Sequence, residues 1–138
     1  MTILRDRPDG FAVLSGDDSW TYPLLALGGD GVISVASNEV PDIMATMCAA
    51  ARAGDLATAR RTHERHLELF RVNFVSPNPV PVKAALAEMG LIEDVVRQPL
   101  LPLDAPQRAR LRAVLDDLGL LADPGPGSRS ARATAVAA

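Results

Sequence analysis

The chain has very little to bind a metal with, or to form a Schiff base with: one cysteine, two histidines and one lysine in 138 residues. A single cysteine, Cys48, excludes an internal disulfide and fits a reducing compartment. With only Cys48, His63 and His66 as soft ligands, no closed zinc site can be assembled, and no cofactor is expected. No apolar run approaches the roughly 20 residues of a membrane span. MTILRDRPDG also lacks the apolar core of a signal peptide. Basic residues are scarce too: 14 Lys and Arg face 17 Asp and Glu, for a net charge of −3. That balance leaves no basic footprint for nucleic acid or an anionic membrane. The expectation is a cytoplasmic protein without nucleic-acid or membrane partners.

What is present is globular in composition, with 48% apolar and 22% charged residues. The length suffices for one hydrophobic core but not for an eight-stranded α/β barrel, which needs about 250 residues. Residues 1–7 read as a short helix stopped by Pro8, followed by a turn at Asp9-Gly10. FAVLS (11–15) and VISVAS (32–37) are short apolar, partly β-branched runs, the pattern of buried parallel strands. Between them a helix through WTYPLLAL can be capped by Asp18 or Ser19, with Pro23 tolerable only in its first turn. The alternation with short loops predicts right-handed βαβ units. Two strands alone leave both edges unpaired, so this part is not self-sufficient.

From Asn38 the chain reads as helical. Pro41 opens one helix that Gly54 stops, and Asp55 caps the next, which runs to about Phe74. SPNPVP forms an extended link. Further helices are predicted from Val80 or Pro81 to Met89 and over 105–118, and a disordered tail over 122–138. Arg108, Arg110 and Arg112 read as a solvated helix face, His63 and His66 as solvated or interface histidines, Cys48 as a core thiol and Trp20 as a packing anchor.

Three segments in order, VLSGDD (13–18), GGDGVISVASN (28–38) and PNPVPVKAAL (77–86), resemble the dihydrodipicolinate synthase / N-acetylneuraminate lyase family. The resemblance spans about residues 10–120 and implies an incomplete (β/α)₈ barrel followed by a small helical C-terminal domain. FAVLS matches the seventh strand and GVISV the eighth. The implied organisation is residues 1–53 from the barrel, 54–121 as the helical domain and 122–138 as tail. Barrel sites lie at the C-terminal ends of strands. The resemblance therefore implies substrate-binding roles for Gly16, Asp17 and Asp18 after strand seven, and for Ile33 in strand eight beside a pyruvate-type substrate. The residues alone favour an N-cap role for Asp17 and Asp18.

Chemistry in the family begins when a strand-six lysine condenses with the ketone of pyruvate. A tyrosine from strand five then shuttles protons. Neither strand is represented here. Lys83 falls in PNPVPVK, a segment of the C-terminal domain, and Tyr22 falls on the helix after strand seven. The resemblance thus implies no catalytic residue and a truncated lyase chain, inactive alone. The other readings are half of a split enzyme with a complementary N-terminal half as partner, or a non-catalytic helical interaction module forming a homo-oligomer.

Overall fold

The computed structural model describes residues 2–121, so the tail expected over 122–138 lies outside the described residues. They fall into two compact units, the first ending at Val75 and the second starting at Ser76. Helices dominate both.

In the first unit, helix α1 (Thr2–Asp6) ends one residue before Arg7, whose neighbour Pro8 disfavours helical backbone. Strand β1 (Leu14–Ser15) pairs in parallel with β2 (Gly31–Val32), in the register Leu14↔Gly31 and Ser15↔Val32. One further bond extends the pairing at each end, from Asp30 N to Val13 O (2.9 Å) and from Ile33 N to Ser15 O (2.8 Å). The strands are much shorter than the apolar runs 11–15 and 32–37 predict. A strand is as long as its ladder, and among the described residues each of these two has one partner. β2 is also stopped from within. Ser34 Oγ accepts from Ser37 N at 2.8 Å, and the chain turns into a 3₁₀ turn at Ala36–Asn38.

Helix α2 (Asp18–Ala26) joins the strands. Its N-cap is Asp17, one of the two aspartates for which the sequence alone favours that role, with Ser19 N donating to the Asp17 carboxylate at 2.7 Å. Pro23 lies inside α2 and not in its first turn, so the carbonyl of Ser19 loses one helical donor. Asp18, Thr21 and Leu25 form the buried stripe of α2. Trp20 lies away from that stripe and is 67% exposed, which corrects its reading as a packing anchor. After α2 the chain doubles back tightly. A Cβ on Gly29 would sit 2.5 Å from Leu24 Cγ, so any side chain here forces its neighbours to shift and glycine is favoured.

Helix α3 (Pro41–Arg52) starts on proline, whose missing donor is harmless there, and ends at Gly54 with φ of 82°. Helix α4 (Leu56–Val72) is capped by Asp55, which accepts from Thr58 N at 3.0 Å. Helices α2, α3 and α4 pack on one another around Leu25, Met44, Met47, Ala59, Leu69 and Phe70. Because α4 packs on α2 and α3, the first unit runs through Val75, past the division expected between 53 and 54.

The second unit contains α5 (Val80–Glu88) and α6 (Ala105–Asp117), which pack together. Asp104 and Gln107 form a reciprocal capping box at the start of α6, and Leu111 and Leu115 are fully buried one turn apart. Arg108 donates to Glu88 at 2.7 Å and also pairs with Asp94, while Arg112 pairs with the same Glu88. Arg108 and Arg112 thus staple α6 to α5 and the loop after it, where the sequence suggested a merely solvated face. No helix among the described residues is long and apolar enough to cross a membrane.

Candidate functional site

Parallel pairing puts the C-terminal ends of β1 and β2 on the same side of the sheet. Gly16, Asp17 and Asp18 follow β1 there, and Ile33 follows β2. The bond from Ile33 N to Ser15 O brings these two short segments side by side. Ile33 is 73% exposed. A Cβ on Gly16 would meet no atom within 4 Å beyond its chain neighbours, so open space lies in front of it. The four residues proposed from the sequence therefore stand together at one strand end.

The two aspartates differ sharply in environment. Asp17 is spent on the helix start: its Oδ1 accepts from Ser19 N and from Ser19 Oγ (2.6 Å), while its carbonyl accepts from Ser15 Oγ at 2.7 Å. Asp18 is fully buried, and its Oδ2 accepts from Val35 N (3.1 Å) and Ala36 N (2.9 Å). It therefore ties the first turn of α2 to the segment immediately after Ile33. Its second oxygen, Oδ1, is buried without a hydrogen-bond partner.

Sequence reasoning missed a second buried polar pair, Glu39 and Asn73. Glu39, at the end of the 3₁₀ turn, is buried, and its Oε2 accepts from Asn73 Nδ2 at 2.6 Å. Burial pushes the Glu39 carboxyl up to about 8; the Asn73 amide opposes that shift, and the charge of Asp18 adds to it. A signal existed for Asn73. It stands three and four residues after Phe70 and Leu69, on the apolar side of α4, where a polar group must find a buried partner. Glu39 carried no such signal.

The remaining candidates lie outside this strand end. His63 is half-buried between the rings of Tyr22 (5.6 Å) and Phe70 (5.9 Å), and burial holds its imidazole below the usual range. His66 bonds the Thr62 carbonyl at 2.8 Å, and no group of three or more His, Cys, Asp or Glu among the described residues can hold a metal ion. Cys48 is half-buried, and burial raises its thiol. Lys83 belongs to the other compact unit, on α5, where its ammonium donates to the Val95 carbonyl.

A family model described as the dihydrodipicolinate synthetase family matches residues 1–118. The chain belongs to this family. It is 51% identical over 119 residues to the 4-hydroxy-tetrahydrodipicolinate synthase of Chloroherpeton thalassium, covering 86% of this chain and 39% of that protein. The synthase of Maridesulfovibrio salexigens is 53% identical, with 86% of this chain and 41% of the relative covered. Among solved structures, dihydrodipicolinate synthase from Aquifex aeolicus matches with a TM-score of 0.85 and 40% identity, over 88% of this chain and 42% of that one. The chloride-inhibited synthase of Acinetobacter baumannii, solved in complex with pyruvate, matches with a TM-score of 0.77 and 43% identity, over 80% and 38% of the two chains. This family member thus spans 39% and 41% of the length of the two curated relatives.

Proposed function

We propose that the described residues form the last two strand–helix units of a (β/α)₈ barrel and the helical domain that follows them, in a pyruvate-dependent lyase of the Schiff-base type. The reading rests on one observation. The parallel β1–β2 pair gathers Gly16, Asp17, Asp18 and Ile33 at its C-terminal end, the end at which barrel enzymes build their sites, in a chain of this family. In this reading Gly16 and Ile33 supply one wall of the substrate pocket, Gly16 by leaving space and Ile33 by presenting backbone and apolar surface. Asp17 and Asp18 hold the loop that shapes the wall.

The reactive amine is not in this wall. Lys83 sits in the other compact unit and its ammonium is engaged by a backbone carbonyl. Within the 138 residues, then, no lysine is assigned to attack the pyruvate ketone, and the condensation needs barrel strands that these residues do not supply. Incubation of the chain with pyruvate and borohydride, followed by mass spectrometry, tests this. The expected result is an unmodified chain. A reduced pyruvate adduct on Lys83 accompanied by turnover overturns the reading.

The exposed apolar side chains of Leu14 and Ile33 at the two-stranded sheet, and of Phe11 in the segment leading into β1, favour completion of the barrel by further strands. Such strands complete the pocket as well as the sheet.

A further inference from the structure

We propose that His63 is a pH-sensitive joint between α2 and α4: it is packed there as the neutral imidazole with its proton on Nε2, and protonation of Nδ1 weakens the contact. His63 stands on α4 two turns before Phe70. Its ring meets Phe70 on its own helix at 5.9 Å and Tyr22 of α2 at 5.6 Å, with the planes tilted by 48° and 36°. Both separations are those of aromatic pairs in contact. Phe70 is fully buried, so the imidazole links Tyr22 to the core face of α4.

The Nδ1 of His63 is buried and has no hydrogen-bond partner. A neutral imidazole carries one hydrogen and can leave Nδ1 as a bare acceptor, whereas an imidazolium carries a hydrogen on both nitrogens. Protonation therefore creates a buried, charged N–H with nothing to receive it, the costlier kind of orphan. His66, one turn on, is built the other way. Its Nδ1 donates to the Thr62 carbonyl at 2.8 Å, a bond that the neutral and the charged ring can both make.

The charges around His63 do not reverse this preference. Burial holds its imidazole below the usual range; on α4, exposed Glu64 opposes that shift and exposed Arg71 adds to it. His66 stacks on the same Phe70 at 6.5 Å. On α2, Tyr22 presents its ring, and Asp18 spends Oδ2 on the Val35 and Ala36 amides. On α3, Cys48 is half-buried, and Asp42 and Arg52 are exposed. The faces of Tyr22 and Phe70 attract a cation, but at a buried nitrogen the lost hydration outweighs that attraction.

The folded chain thus binds this proton less readily than the unfolded one. The joint contributes in full above 6.5, the ordinary histidine value, and its contribution is lost as pH falls through the lower folded value. Tyr22 stands one turn after Asp18, so a looser joint frees the helix into which Gly16, Asp17 and Asp18 lead. Only this consequence for the wall rests on the pocket reading; the joint itself does not.

Long-range ¹H–¹⁵N NMR of the histidine rings in the 138-residue chain tests the proposal without pyruvate, so its failure is distinct from failure of the pocket reading. At neutral pH, His63 is expected to show a hydrogen-bearing Nε2 and a bare Nδ1. On acidification Nδ1 is expected to protonate with a midpoint below 6.5, and amide hydrogen exchange in α2 and α4 to accelerate through the same step. His63→Phe keeps a ring between Tyr22 and Phe70 and removes the titration, so this acid-dependent acceleration should be lost. A proton resident on Nδ1 at neutral pH overturns the proposal. So does a midpoint at or above 6.5, whether the rings hold the cation or the joint never forms. Acid-sensitive exchange that persists undiminished in His63→Phe overturns it as well.

Discussion

Glu39 shows how a single buried side chain sets a pH dependence for the whole fold. Its carboxyl stands at about 8 in the folded chain against a reference of 4.5. The folded state therefore holds a proton that the unfolded state releases between those two values. Its stabilising contribution is complete below 4.5 and is lost progressively as pH rises toward 8, where the native carboxyl also ionises. At about 1.4 kcal/mol for each tenfold difference in proton affinity between the two states, the loss is on the order of a few kcal/mol. Urea unfolding at about pH 5 and about pH 9 should show the chain less stable at the higher pH. Glu39→Gln, neutral throughout, should flatten the profile. A profile equally steep in the variant assigns the effect to another group. The residue scale is also where the sequence was least legible. Asp17 could be read as a cap from its place before an apolar helix. Asp18 reaches Val35 and Ala36, and Glu39 reaches Asn73, only because α2, the 3₁₀ turn and α4 meet, and no local pattern records a meeting of segments so far apart in the chain.

Elements were legible in proportion to how local their causes are. The limits of α3, α4, α5 and α6 follow from Pro41, Asp55, Gly54, Gly90 and the Asp104–Gln107 box, all of which act within a turn. The strands were not, because apolar β-branched runs mark where a strand is possible while its length is fixed by neighbours. The turn between α2 and β2 offers a direct measurement. Gly29→Ala would put a methyl 2.5 Å from Leu24 Cγ, well inside contact distance. The cost is about 1–3 kcal/mol as the leucine shifts. Gly16→Ala meets nothing within 4 Å and should leave the unfolding free energy within about 0.5 kcal/mol of the parent. Equal stabilities for the two variants would mean that the tight approach at Gly29 does not constrain the turn.

At the scale of the molecule, a parallel sheet normally lies between covering layers, and two strands alone bury too little to stand by themselves. Here α2, α3 and α4 supply a core, while Leu14 (47%) and Ile33 (73%) at the sheet and Phe11 (57%) just before β1 remain exposed. In the proposed reading those side chains and the open ladder edges would be covered by further parallel strands. In that reading the open edge and the pocket wall are one feature: strands that pair with β1 and β2 would also bring the lysine and the proton-shuttling tyrosine to their C-terminal ends. Co-expression with a segment holding the first six strand–helix units of the Chloroherpeton thalassium synthase should yield a complex that copurifies. Pyruvate and borohydride should then label a lysine of the added segment while leaving Lys83 unmodified. Phe11→Lys, at an exposed position, should spare the helical core of this chain and reduce copurification, since a charge would be driven into the new interface. If the two segments stay apart while this chain alone folds cooperatively as a monomer, completion of the barrel in trans fails, and the exposed sheet has to be covered in some other way.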